Sequence, residues 1–179
     1  MPVEDTKKKE ILDKAYELGH EYERRYKGCS QCTVAAVQDL FDIRDDAVFK
    51  AASGLAGGLG ITITGLCGGV SGGVMVLSQL CGRERSNFDD PNRTRAKSFD
   101  MAERLVDAFK AEFGSINCRD VQTRQFGRPY YLRDEDEYKK FEEAGAHSHK
   151  CPDVVGRAAR MVAEIILDED LLPPNKKET

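Results

Sequence analysis

The chain contains 179 residues, of which 40% are hydrophobic and 32% are charged, and its 27 basic and 31 acidic side chains leave a formal net charge of −4. That length suits a single domain, residues 1–179, and the acidic balance argues against a nucleic-acid partner. The first residues, MPVEDTKKKE, lack the apolar run of a secretory signal, so a cytoplasmic protein is expected.

The first half of the chain has the apolar periodicity of helices. Apolar residues recur every three or four positions over residues 8–26, which predicts a helix that ends before Gly28. Ser30 is placed to cap a second helix, and Asp45 or Asp46 to start a third. A fourth helix is predicted over about residues 66–80.

The second half is predicted to be helical as well. Asp90, followed by proline, predicts the start of a long helix that stops at Gly114, and a short helix is expected near Cys118. Residues 134–144 have the composition of a charged, exposed helix. Pro152 is suited to the first turn of the last helix.

The remaining segments are predicted to be irregular. Residues 147–152 are expected to form a linker, and residues 173–179 a frayed tail beyond a structured part at about 8–168. No segment alternates convincingly as a strand. The prediction is therefore an all-α, single-domain bundle of about six to seven helices, in which a glycine-rich helix is buried at the centre.

The centre of the sequence is rich in glycine and free of charge. Nine of the 16 glycines lie between Gly54 and Gly73, and no charged residue occurs from Ala51 to Gly82. The stretch is long enough to raise the question of a membrane span, but its glycines and hydroxyl side chains argue against insertion. The patterns of phosphate-binding loops are absent. Repeated small residues instead predict close helix packing around a site at the helix start. The residues concerned are Gly65, Gly68, Gly69 and Gly72.

Six cysteines are the chemically distinctive residues of this sequence. Cys32, Cys67 and Cys151 fall near predicted helix starts, and Cys118 follows the break at Gly114. The N–H groups at a helix start stabilise a thiolate, which is both a nucleophile and a metal ligand. Four thiolates also match the ligand number of an iron–sulfur cluster or a structural zinc ion. These positions therefore favour either a redox or a metal-binding role.

The other two cysteines are easier to explain without a role in a site. Cys81 follows Cys67 by 14 residues, about 21 Å if one straight helix joins them, and is expected to be a buried apolar side chain. Cys29 forms a CxxC pair with Cys32 and is either a spare or substitute ligand, less favoured than the other four cysteines, or a small buried side chain without a role in the site. Haem attachment through CxxCH is excluded, because Thr33 follows Cys32.

Two histidines lie close to the last cysteine. His147 and His149 precede Cys151 by four and two residues and could approach the same site. Histidines in polar segments are usually solvated, so both are less favoured as ligands.

These motifs resemble the C_GCAxxG_C_C family of redox-active proteins, which is defined by four dispersed cysteines around a glycine-rich CGAxxG element. The resemblance covers roughly residues 10–166 in the expected order, with Gly69 where the family motif has alanine. A similar domain occurs in split-Soret cytochrome c, a dimeric redox protein with a cysteine-bound iron–sulfur centre besides its haems. The matching segments are Gln31-Cys32, Leu55–Gly60, Cys67–Gly72, Val74–Leu77, Gly114–Arg119 and Cys151-Pro152.

The resemblance implies a redox-active protein in which Cys32, Cys67, Cys118 and Cys151 hold an iron–sulfur cluster, expected to be [2Fe–2S], for electron transfer or redox sensing. Two other interpretations remain open. A pair of these cysteines could exchange between dithiol and disulfide. Alternatively, the protein is a helical module with structural zinc, or a dimer module whose cysteines only pack. Glycine faces and amphipathic helices would also suit a homodimer.

Overall fold

The computed structural model describes residues 2–174 of the chain, and side chains from residue 5 onward. Over that part the protein is an all-α domain of eight helices without a strand, which confirms the predicted fold class and exceeds the predicted helix number by one. The predicted tail lies largely outside the described residues. The helices are α1 (Pro2–Tyr26), α2 (Cys29–Phe41), α3 (Asp46–Ala51), α4 (Gly68–Cys81), α5 (Arg95–Phe113), α6 (Cys118–Phe126), α7 (Glu135–Glu143) and α8 (Cys151–Asp168).

The start of α2 differs from the prediction. Gly28 adopts a left-handed conformation with φ 90°, and α2 begins directly after it at Cys29. The cap predicted at Ser30 is therefore wrong, because this buried residue lies inside the first turn, where its hydroxyl donates to the Ala52 carbonyl at 2.8 Å. The cap predicted at Asp45 is confirmed, since its carboxylate accepts two N–H groups in the first turn of α3.

The long helix α5 begins later than predicted. Its first residue is Arg95, because Asp90 takes a positive φ of 51° and opens a turn instead of a helix. The Asp90 carboxylate still stabilises the helix start, where it accepts the N–H groups of Thr94 at 2.6 Å and Arg95 at 3.2 Å. Gly114 ends α5 in a left-handed conformation, as predicted.

The segment predicted as a linker, residues 147–152, is helical instead. Residues Ala146–Lys150 form a π-helical turn, with the Lys150 N–H donating to the Gly145 carbonyl at 3.2 Å. This turn continues directly into α8, which has Pro152 in its first turn as predicted. Cys151 is therefore held between two helical turns.

Glycines allow the helices to approach closely. At the crossing of α1 and α8, a Cβ atom on Gly19 would lie 2.9 Å from the Val155 carbonyl oxygen. Helix α4 packs against α2, α5 and α8, and eight of its 14 residues are buried. The predicted glycine-rich central helix is thereby confirmed.

None of the described helices is both long and apolar enough to cross a membrane.

Candidate redox centre

A cavity of about 150 Å³ lies between the starts of four helices. An engineered cavity of about that volume holds a benzene molecule, so the space is large enough for a small cofactor. Much of its wall is apolar, with Val121, Phe126, Leu132, Phe141 and Val154. One cysteine from each helix start also lines it: Cys29 of α2, Cys67 just before α4, Cys118 of α6 and Cys151 of α8.

Backbone hydrogen bonds hold Cys67 and Cys118 side by side. The Cys67 N–H donates to the Ile116 carbonyl at 2.8 Å, and the Cys118 N–H donates to the Gly65 carbonyl at 2.9 Å. Between them, residues 66 and 117 form an isolated antiparallel bridge. Two cysteines that are distant in sequence are thus fixed beside each other at the cavity.

Glycines bring the backbone against the thiols. The Gly57 N–H donates to the Cys29 Sγ atom at 3.4 Å. At Gly58, where φ is +64°, a Cβ atom would lie 2.6 Å from the Cys118 Cβ atom. A Cβ atom on Gly68 would collide with the Cys29 Sγ atom. A larger residue at position 58 or 68 would therefore displace a thiol.

The other glycines predicted to pack around the site lie at contacts between segments. Gly65 lies against Leu59, Gly69 against Ala158 of α8, and Gly72 against the Ser30 backbone of α2. The last two contacts set the distance of α4 from the helices that carry Cys151 and Cys29.

Cys32 lies outside the lining of the cavity. Its Sγ atom donates to the Lys27 carbonyl at 3.2 Å, and its side chain borders a separate groove with Tyr26 and Phe49. Cys29, one helical turn earlier, lines the cavity. The structure thus brings together three of the four cysteines predicted as ligands and adds Cys29 to them.

Of the remaining candidate residues, His147 lines the cavity, whereas Cys81 and His149 do not. Cys81 is at the end of α4, where its thiol donates to the Leu77 carbonyl at 3.1 Å. His147 lines the cavity, and its Nδ1 atom lies 2.7 Å from the Glu142 Oε1 atom. His149 is not among the lining residues. Only one of the two histidines therefore shares the cavity with the thiols.

Burial controls the charge of the four thiols. Removal from water raises the pKa of Cys67 and of Cys118 to about 12, and it also raises the pKa of Cys29 and of Cys151 well above that of an ordinary thiol. Backbone N–H groups lower the pKa of Cys29 and Cys67, but by less than burial raises it. Burial therefore outweighs the effect of the backbone N–H groups, and the pKa of these thiols is raised instead of lowered.

One acidic residue at the cavity was not predicted. Glu23 of α1 is 2% exposed and lines the cavity, and burial raises its pKa to about 7. In the sequence it stands in a run of charged residues, which is typical of a solvated face. The only signal for its burial is its helical spacing from Gly19 and Ala15, which both lie on the buried face of α1.

The thiols surround the cavity without meeting at one point. Among the residues that the structure describes, no three histidine, cysteine, aspartate or glutamate side chains are already grouped closely enough to hold a metal ion. A bound metal centre would therefore require these side chains to close around it.

A comparison with protein families connects this site to known proteins. A family model described as "Putative redox-active protein (C_GCAxxG_C_C)" matches residues 27–165, which is more than half of the chain and includes all six cysteines. No curated protein and no solved structure matches the chain significantly. By this match, the chain belongs to the C_GCAxxG_C_C family of redox-active proteins.

Proposed function

We propose that the protein holds an iron–sulfur cluster of the [2Fe–2S] type in the cysteine-lined cavity and serves in electron transfer or redox sensing. The observation that carries this proposal is the convergence of four cysteines, from four helix starts, on one cavity. Four cysteine thiolates are the usual protein ligands of such a cluster. Membership in a family of redox-active proteins supports the same conclusion.

The geometry of α2 supports Cys29 as the fourth ligand. The sequence predicts Cys32, but its thiol donates to the Lys27 carbonyl outside the cavity lining. The Cys29 sulfur lines the cavity and accepts the N–H group of Gly57. We therefore place Cys29 in the ligand set instead of Cys32. The proposed ligands are Cys29, Cys67, Cys118 and Cys151.

The cavity has further features that suit a cluster. A cluster bound there would supply reversible one-electron chemistry. The apolar wall limits the access of water, and the Gly57 N–H group points at a ligand sulfur. Both features are known to set the reduction potential of iron–sulfur centres. Since burial raises the pKa of the thiols, cluster binding must release protons, and cluster assembly should be favoured as pH rises.

Metal and sulfide analysis of protein purified without oxygen tests the proposal. About two irons and two acid-labile sulfides per chain, with visible absorption, would support a [2Fe–2S] cluster. Stoichiometric zinc without colour would contradict it and would instead support the structural-zinc interpretation.

The substitutions Cys29→Ser and Cys32→Ser form a matched pair within one helical turn. We expect Cys29→Ser to lose iron and sulfide and Cys32→Ser to retain them, because only Cys29 lines the cavity. The reverse result would return Cys32 to the ligand set and contradict the assignment made from the cavity.

A second candidate function is thiol–disulfide exchange by the Cys29–Cys32 pair. Both residues lie in the first turn of α2. Helical geometry places their Cα atoms about 5 Å apart, which is within the range of disulfides. A disulfide of a partner protein would be reduced to two thiols as this pair is oxidised. Loss of two free thiols from iron-free protein on mild oxidation, but not from Cys32→Ser, would support this function. An unchanged thiol count would contradict it.

A further inference from the structure

A buried carboxylate shares the cavity with the four thiols. Glu23 comes from α1, is 2% exposed, and lines the cavity. Its Oε2 atom has no hydrogen-bond partner among the described residues. Burial of a polar oxygen without a partner is unfavourable, and more so when the group is charged. The free oxygen is therefore available to bind a group inside the cavity.

The basic side chains near Glu23 are engaged elsewhere. The Nε2 atom of His147 lies 3.7 Å from the Glu23 Oε1 atom, beyond hydrogen-bond distance, and the other ring nitrogen is bound to Glu142. Lys27 lines the same cavity, but its Nζ atom is bound to Glu142 at 2.6 Å. Neither basic group contacts the Oε2 atom.

Glu23 lies close enough to the thiols to influence them. After burial, which has the largest effect, the charge of Glu23 further raises the pKa of Cys32, to which its carboxylate is hydrogen-bonded, and the pKa of Cys29, Cys67 and Cys151. A metal ion bound by these sulfurs would therefore lie near the Glu23 carboxylate, whose Oε2 atom takes part in no hydrogen bond.

We propose that Glu23 is a direct ligand of the metal centre and adds one carboxylate oxygen to the cysteine sulfurs. The inference rests on the proposed function, because it requires a metal bound by these cysteines. Zinc binds carboxylate oxygen as well as thiolate sulfur, and protein-bound iron accepts both kinds of ligand. Glu23 precedes the segment that the family model matches, so this ligand comes from a part of the chain outside the family motif.

The substitution Glu23→Gln tests whether Glu23 is a metal ligand or only a buried carboxyl group. Glutamine has the shape of the protonated carboxyl group and no charge, so a passive Glu23 would tolerate the change and a ligand would not. The control is Glu21→Gln on the same helix, since Glu21 is about half exposed and pairs with Arg24 at 2.9 Å.

The readout is anaerobic titration of the metal-free protein with cobalt(II), followed by absorption and by competition with a chelator. We expect Glu23→Gln to weaken cobalt binding at least about tenfold and to change the ligand-field spectrum, and Glu21→Gln to leave both unchanged. Wild-type affinity and spectrum in Glu23→Gln would overturn the proposal. If circular dichroism shows that Glu23→Gln does not fold, Glu23→Asp replaces it. That variant keeps the charge, withdraws the oxygen by one methylene, and should also bind cobalt more weakly.

Parallel iron and sulfide analysis distinguishes this inference from the proposed function. Wild-type protein that binds cobalt through Glu23 but assembles no iron and sulfide would contradict the cluster and support the ligand role. A cluster with the same metal content and spectrum in Glu23→Gln would overturn the ligand role alone. Failure to bind either cobalt or iron would overturn both.

Discussion

Gly72 marks the closest approach between α4 and α2. A Cβ atom there would overlap the Ser30 carbonyl oxygen and would lie 3.1 Å from both the carbonyl carbon and the Cα atom of Ser30. All three are backbone atoms of a buried helical turn, so no rotation of a side chain relieves the contact. Gly72→Ala would therefore have to separate the two helices.

Two opposing effects set the size of the change. Overpacking a buried contact costs about 1–3 kcal/mol, and overlap with rigid backbone places Gly72→Ala at the upper end of that range. Replacing glycine by alanine inside a helix recovers about 1 kcal/mol. The expected net loss in the free energy of unfolding is about 2 kcal/mol, which lowers Tm by about 4–8 °C for a domain of this size.

Urea unfolding of the metal-free protein measures this loss, with Gly54→Ala as the control. A Cβ atom at Gly54 meets nothing within 4 Å. That substitution should therefore be neutral or stabilise the protein by up to about 1 kcal/mol. A Gly72→Ala protein that unfolds at the same urea concentration as the wild type would refute the close packing of α4 on α2.

The cavity and its supports lead to three more expectations. Cys67→Ser should abolish iron binding and Cys81→Ser should retain it, because only Cys67 lines the cavity; equal iron loss in both would contradict the ligand assignment. Burial raises the pKa of Glu23 from 4.5 to about 7, so the protonated carboxyl group stabilises the folded metal-free protein fully below pH 4.5. The free energy of unfolding should therefore fall by about 3 kcal/mol as the pH rises from 4.5 through 7. Urea unfolding at about pH 5 and pH 8 should show that loss in the wild type but not in Glu23→Gln, and the same loss in both would argue against the burial of Glu23. Asp45→Ala should lower the free energy of unfolding by about 1 kcal/mol through loss of the α3 cap, with Asp45→Asn close to the wild type; equal stability of the two variants would exclude a capping role.

Local sequence patterns predict most of the helices and several of the residues of the site. Asp45, Gly114 and Pro152 act on backbone groups within one or two turns, so their effects on helix ends are visible locally. The same applies to Cys67 and Cys151, whose positions at helix starts follow from the glycine and proline beside them. The cap predicted at Ser30 failed because Gly28 ends the preceding turn in a left-handed conformation and lets α2 begin earlier.

Which side chains meet, and how burial shifts their pKa values, depends on the packing of the helices. Cys29 and Cys32 are one helical turn apart. The packing of α2 against its neighbours determines that, of these two residues, Cys29 lines the cavity and Cys32 does not. The local rule for helix starts predicts thiolates, but burial by four helices raises the pKa of the thiols. Glu23 stands in a charged run and is nevertheless buried. Burial and side-chain direction depend on contacts between residues far apart in the chain, and a local pattern contains no information about those contacts.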